Sequence, residues 1–300
     1  MSTILITGAN GLLGQFLIKD LLERGFAVVA TGKGVNRLPF SEGEKFRYIE
    51  MDFTSGEQVR AVLQAVQPAV IVHAGAMTQV DPCELHPEDC YRTNVQGTEI
   101  LLEGASLVKS RFIFVSTDFI FDGIGGPYRE DDTPGPLSVY GRSKWEAEAL
   151  VRASGLEWAI ARTVLVYGTP FTGSRSNIIT WVKTNLEAGK RIQVVSDQWR
   201  TPTYVEDLAA GIGLMISRKA SGTFHLSGKD LLTPYDMAMQ VAHLLNLDAS
   251  LLERVDAATF TQPGQRPAKT GFVIDKAVKH LGYDPVSFEQ GILLTLGLSR

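Results

Sequence analysis

Tyr140 and Lys144 stand four residues apart, a spacing that on a helix puts a phenol and an ammonium on one face. Such a pair could deliver a proton to a carbonyl oxygen. A tyrosine titrates near 10, so proton transfer near neutrality requires a shift of about 3 units, or about 4 kcal/mol. An ammonium about 4.5 Å away contributes about 1 kcal/mol in bulk water and about 3 to 4 at an effective dielectric near 20. The pair can therefore work only where water is excluded, as beneath a bound cofactor ring. The spacing alone is common on ordinary helices, and only the surrounding elements distinguish a functional pair. Upstream, residues 112–115 read as a strand that ends in Ser116-Thr117-Asp118. A hydroxyl at such a strand end can reach the same carbonyl oxygen, which makes Thr117, Tyr140 and Lys144 the candidate catalytic set.

The first half of the chain supplies a frame for that set. Short β-branched apolar runs at 4–7, 27–31, 46–51, 69–73, 111–116 and 158–162 alternate with helical patterns such as 15–24, the form of repeated βα units on a doubly wound parallel sheet. After the first run comes Gly8-Ala9-Asn10-Gly11-Leu12-Leu13-Gly14, opening a helix that stops near Gly25. Glycines there allow a tight turn and close approach of backbone to a pyrophosphate, and the N–H groups of the helix start attract the anion. The loop thus reads as a dinucleotide site. A carboxylate at the end of the second strand would select NADH, but Thr31-Gly32-Lys33 stands there, with Arg37 nearby. Without a carboxylate to repel a 2′-phosphate, NADPH is expected in preference to NADH, with Lys33 and Arg37 either holding that phosphate or simply solvated. Asp52 and Phe53, after the third strand, could accept from the adenine amino group and flank the base, although a lone Asp there also suits a turn. Ala74, Gly75 and Ala76, after the fourth strand, complete the expected cofactor contacts. Beyond about residue 165 the alternation loosens, and isolated strands are expected at 192–195 and 223–226.

Composition narrows the alternatives. The 300 residues are 44% hydrophobic and 21% charged with a formal net charge of −4, the profile of a folded protein with no basic surplus for nucleic acid or anionic lipid. No apolar run approaches a membrane span and no signal-peptide pattern opens the chain, so a cytoplasmic protein is expected. Cys83 and Cys90 are too few for a disulfide framework and read as reduced thiols. The five histidines form no compact ligand set, and no metal site is expected; His73, at a strand end near the cofactor, is the one of interest. There is no G-x-S-x-G elbow, and Gly228-Lys229 is followed by Asp230, which disfavours hydrolase and phosphate-loop chemistry. Arg162, Arg175, Arg200 and Arg266 are candidates for a substrate diphosphate, each equally suited to an ordinary ion pair.

Three linked runs resemble the dTDP-4-dehydrorhamnose reductase group of the extended short-chain dehydrogenase/reductases: Val115-Ser116-Thr117-Asp118-Phe119-Ile120-Phe121-Asp122-Gly123, Pro127-Tyr128-Arg129-Glu130, and Pro136-Leu137-Ser138-Val139-Tyr140-Gly141-Arg142-Ser143-Lys144. Shorter matches at Thr78-Gln79-Val80-Asp81, Asn94, Val166-Tyr167-Gly168, Pro202-Thr203 and Arg266-Pro267 extend the resemblance over essentially the whole chain. It implies a Rossmann-like α/β fold with a smaller mixed α/β C-terminal lobe. Residues 1–165 would bind NADP and residues 166–300 mainly the substrate, with the chain free to cross back. The implied activity is NADPH-dependent reduction of a 4-keto sugar carried on a nucleotide diphosphate, Tyr140 donating the proton, Lys144 lowering its pKa and holding the ribose, and Thr117 steadying the alkoxide. Thr78, Asp118, Tyr167, Asn177 and Arg200 are the implied substrate contacts. The sequence departs from the group at Trp199-Arg200 and at Leu165, where relatives can carry an aromatic residue beside the substrate. Phe119 stands where related dehydratases have a Glu, so elimination is not expected. Two other readings remain, a non-catalytic NADP-binding subunit similar to the methionine adenosyltransferase β-subunit and a nucleotide-sugar epimerase. The quaternary state is open, a homodimer included.

Overall fold

A computed structural model describes residues 2–173 and 176–298. Apolar β-branched runs become strands and the intervening amphipathic segments become helices. In chain order the first half gives β1 (Thr3–Thr7), α1 (Leu12–Glu23), β2 (Ala27–Gly32), β3 (Phe46–Glu50), α2 (Gly56–Val66), β4 (Val70–His73), α3 (Val80–Leu85), α4 (Pro87–Tyr91), α5 (Gly97–Leu107), β5 (Arg111–Thr117), α6 (Val139–Ala153) and β6 (Trp158–Thr163). A π-helical turn, Arg92–Gln96, joins α4 to α5. The second half adds β7 (Val166–Tyr167), α7 (Ile178–Glu187), β8 (Ile192–Val195), β9 (Thr203–Tyr204), α8 (Val205–Ser217), β10 (Gly222–His225), α9 (Pro234–Leu244), β11 (Leu252–Val255), α10 (Asp275–Leu281) and α11 (Phe288–Thr295).

The main sheet runs β10-β6-β5-β4-β1-β2-β3, and every pairing is parallel. This is a Rossmann-like doubly wound fold. Strand alternation divides its two cores. Ile4, Ile6, Val28 and Ala30 face the layer containing α1 and α8, whereas Leu5, Val29, Ile71, Phe112 and Phe114 face α2, α5 and α6. Strand order reverses between β1 and β4, where the loops at their carboxyl ends separate and open a crevice. The second half builds two small parallel ladders, β7 with β9 and β11 with β8. It also returns to the main sheet, because β10 pairs with β6. No helix among the described residues is long and apolar enough to cross a membrane.

Candidate active site

The crevice at the switch point encloses about 590 Å³. Its floor is the glycine loop. Gly8 has φ +70°, and a Cβ there would stand 2.8 Å from the Gly75 backbone, so the loop after β1 seats directly on the loop after β4. A Cβ on Gly14 would lie 2.5 Å from the Ala9 carbonyl oxygen, which fixes how closely α1 approaches the turn. Gly11 caps α1 without any side-chain bond, leaving its first-turn amides without a side-chain acceptor. These are the requirements of a pyrophosphate cradle. Gly8, Asn10, Gly11, Leu12, Leu13, Gly14, Lys33, Arg37, Ala74, Gly75 and Ala76 all line this one crevice.

Asn10 shapes the rim. Its Oδ1 accepts from Arg37 N at 3.1 Å, and its Nδ2 donates to Val35 O at 3.3 Å and to the Tyr48 hydroxyl at 3.1 Å. Lys33 is 83% exposed and pairs with Asp52 at 3.0 Å. Burial pushes the Asp52 carboxyl up, but hydrogen bonds from Thr54 and the Lys33 ammonium outweigh it and hold the group below the usual range. Asp52 therefore serves as a turn residue and as the partner of Lys33, and it does not line the crevice. Phe53 also departs from the expected base-flanking position. Its ring is wedged where a Cβ on either Gly75 or Gly97 would overlap it, and it packs edge-on to His73 at 5.0 Å, behind the loop.

The opposite wall comes from β5 and α6. Ser138 caps α6 by accepting from Gly141 N at 3.2 Å. Gly141 lets the helix close on the Phe119 carbonyl, which any Cβ would overlap. Thr117, Tyr140 and Lys144 consequently share the wall and are 6%, 8% and 3% exposed. The expected lowering of the phenol by the ammonium is not realised here. Lys144 Nζ donates to Val115 O at 2.8 Å and lies 3.9 Å from the Phe114 ring centre, and no hydrogen bond joins it to Tyr140. Burial pushes the phenol well above its ordinary value; the Thr117 hydroxyl opposes this and the Asp118 carboxylate adds to it. Burial likewise brings the Lys144 ammonium down to about 7, against the pull of Glu148. Exclusion of water thus acts on both partners, penalising phenolate and ammonium alike.

Two networks that the sequence did not reveal hold this wall. Asn94, in the π-helical turn, accepts from Met77 N at 2.8 Å and donates to Met77 O and to Ser143 Oγ at 3.0 and 2.9 Å. Ser143 then donates to Tyr140 O. Thr98 donates to Asn94 O, so its oxygen accepts from His73 Nε2–H, and His73 Nδ1 accepts from Thr7 at 2.6 Å. Burial keeps that imidazole neutral, with the Lys144 charge acting in the same direction. Cys83 and Cys90 are free, buried thiols in the cluster that contains Tyr140. One turn beyond Lys144, buried Glu148 accepts from Arg162 Nε at 3.0 Å and NH2 at 2.8 Å. Arg162 NH1 in turn donates to Glu130 O at 3.1 Å.

The implied substrate contacts divide. Thr78 and Asp118 line the crevice. Asp118 is 2% exposed and accepts from Thr117 and Thr270; burial raises its pKa, with Arg200 opposing. Arg200 lies behind it, 3.8 Å from Asp118, donating to the carbonyls of Trp199, Pro267 and Ala268. It fastens the 266–270 segment against the end of β5. Tyr167 points into the core against Gly291, Phe288 and Tyr204, and Leu165 and Val166 line the crevice instead. Asn177 caps α7 in a reciprocal bond with Thr180 and donates to Gly168 O, a structural role. Among the diphosphate candidates, Arg162 is buried in the ion pair with Glu148, and Arg266 makes two 2.8 Å bonds to Asp81. Arg175 lies outside the described residues. Among the described residues, no group of three or more His, Cys, Asp or Glu side chains is placed to hold a metal ion.

The family model described as the RmlD substrate binding domain matches residues 1–297. The chain is 32% identical to a dTDP-4-dehydrorhamnose reductase of Aggregatibacter actinomycetemcomitans, over 97% of each chain. It is 31% identical to the methionine adenosyltransferase 2 subunit beta of Bos taurus, over 84% of this chain and 75% of that one. A crystal structure of dTDP-4-dehydrorhamnose reductase from Bacillus anthracis in complex with NADP superposes with a TM-score of 0.82 at 27% identity, covering 99% of both chains. A match spanning the glycine loop, the β5 end and the Tyr140–Lys144 helix together places the chain in the RmlD family of extended short-chain dehydrogenase/reductases, a group of NAD(P)-dependent oxidoreductases.

Proposed function

We propose that the protein reduces the 4-keto group of a nucleotide-linked sugar with NADPH. The observation that carries this reading is a single crevice with a pyrophosphate cradle on one side and Thr117, Tyr140 and Lys144 on the other. Bound NADPH would supply the hydride. Gly8 to Gly14 would hold its pyrophosphate, and Arg37 the ribose phosphate. Tyr140 gives its phenolic proton to the carbonyl oxygen, Thr117 steadies the oxyanion by hydrogen bonding, and Lys144 exchanges Val115 O for the ribose and the phenolate that forms. The test is NADPH oxidation with dTDP-4-keto-6-deoxy sugars, wild type against a Tyr140→Phe control. Absence of turnover above that control removes the assignment.

The likeness to the methionine adenosyltransferase subunit supports a second reading, an NADP-binding regulatory protein. Stoichiometric capture of an enzyme partner without reductase activity would favour it.

Arg37 and Lys33 separate the two roles available to a rim cation. Arg37→Ala should weaken NADPH binding by about 10- to 100-fold while changing NADH binding little, as expected for a lost charge-assisted contact to phosphate. Lys33→Ala should have the smaller effect, because Asp52 already engages that ammonium. Fluorescence titration with both cofactors measures this.

Acidity gives a further check. Only the ammonium form of Lys144 can stabilise phenolate, and burial brings that group down to about 7. Its charged fraction is full below that value and falls as pH rises through it. In the reductive direction kcat/KM should therefore decline with rising pH above about 7. A profile flat to pH 9 would refute the role given to Lys144.

A further inference from the structure

We infer that residues 169–173 are a cofactor clasp: this segment of the second half completes the site for the phosphate-bearing end of the dinucleotide, with Gln15, Phe171 and Thr172 as its fastenings. The inference rests on the reading that the crevice binds NADP(H). Beside the crevice lies a second cavity of about 290 Å³, bordered by Asn10, Gly11, Gln15, Arg37, Pro170 and Thr172. It shares Asn10, Gly11 and Arg37 with the main crevice. The space is therefore continuous with the glycine loop and with the rim cation, and an anionic group is the chemistry it suits.

The segment is tied at both ends. At its root, Gly168 turns the chain at φ +147°, its carbonyl accepts from Asn177 Nδ2 at 2.9 Å, and Thr169 donates to Thr295 O at 2.9 Å. At its tip, the partners belong to the first half of the chain. Gln15, on α1 and 2% exposed, donates to Thr172 O at 3.2 Å and accepts from Thr172 N at 3.1 Å. Its amide also donates to Asn10 O at 3.3 Å, inside the glycine loop. Thr172 Oγ1 donates to Arg37 O at 2.5 Å. Phe171 lies against Phe16 at 4.4 Å and edge-on to Phe40 at 6.2 Å.

Two features distinguish a clasp from ordinary packing. Arg37 is held by its backbone from both sides, its N–H by Asn10 and its carbonyl by Thr172, so the segment fixes the cation that faces the crevice. Phe171 remains 44% exposed, so its packing on Phe16 and Phe40 is only partial. A phosphate of the dinucleotide seated in the second cavity would be bordered on one side by Pro170 and Thr172 and on the other by the glycine loop and Arg37.

The experiment is stopped-flow measurement of NADPH and NADH release from the full chain, wild type against Gln15→Leu and Phe171→Ala. Loss of the Gln15 bonds to a neutral loop should speed NADPH release by about tenfold. NADH, which lacks the 2′-phosphate that Arg37 would hold, should respond less. Phe171→Ala removes a half-exposed ring and keeps the test available should Gln15→Leu fail to fold. Unchanged release in a folded variant, with only melting temperature lowered, overturns the clasp. Wild-type protein that binds neither nucleotide overturns the cofactor reading itself, and the clasp with it.

Discussion

Replacing Tyr140 with Phe should lower kcat for carbonyl reduction by about 10²- to 10⁴-fold, the range over which a positioned proton donor contributes. Phenylalanine fits the same space. The ring is 8% exposed, held edge-on to Phe119 at 5.8 Å, and sits on a helix whose approach is set by Gly141. The substitution removes an oxygen and little else, so NADPH binding and melting temperature should persist and show that the site is intact. The Thr117 hydroxyl retains Asp118 as a partner, which limits rearrangement. Steady-state kinetics and cofactor titration on the same preparation make the comparison. Turnover equal to wild type would mean that the proton comes from elsewhere and that the wall of Thr117, Tyr140 and Lys144 has another purpose.

Breaking the Arg162–Glu148 pair should produce the largest loss of stability. Arg162→Met leaves a fully buried carboxylate whose principal counter-charge has gone, a change that costs about 3–5 kcal/mol. In a chain of this length that corresponds to a fall on the order of 10 °C in melting temperature. Burial pushes the Glu148 carboxyl up, while Arg162 and then Arg152 hold it below its ordinary value. Without Arg162 the burial effect dominates, so the penalty is present at neutral pH, where the group is charged, and shrinks as acid protonates it. The double variant Arg162→Met, Glu148→Leu should recover most of the loss, since it removes both charges. Thermal unfolding at pH 7 and pH 5 tests both statements. A single variant as stable as wild type would show that the pair is replaceable by solvent.

Much of this arrangement is legible in the sequence. The inner strands of the first half stand out because a parallel sheet covered on both faces demands near-continuous apolar, β-branched-rich runs, as in Thr3–Thr7 and Val70–His73. The glycine loop was legible because close backbone approach excludes every other residue at Gly8 and Gly14. The failures have equally local causes. The resemblance turns Tyr167 toward the substrate, but Leu165 takes φ +38° between β6 and β7, and this turn presents Leu165 and Val166 to the crevice while sending Tyr167 inward. Asn177, a substrate contact by resemblance, also opens Asn177-Ile178-Ile179-Thr180, a polar pair at the spacing of a reciprocal helix cap, and the cap is the role it takes. Of the two roles open to Arg162, a diphosphate contact or an ion pair, the structure has the ion pair, because the residue lies within a buried strand, where a charge needs a partner. Glu148, one helical turn after Lys144, was the available signal. Phe53 could not have been placed, because the slot it fills is made by Gly75 and Gly97, two glycines distant from it in sequence.

The return of the chain to β6 through β10 bears on how the molecule can be divided. A fragment ending near residue 165 would carry β6 as a bare outer strand, its row of unpaired amides and carbonyls open to a neighbouring copy. It would also lose Phe224 and the imidazole of His225, which Tyr128 O and Arg162 contact from the first half. The main sheet therefore gains its covered outer edge only once the chain has been made as far as His225, well into the second half.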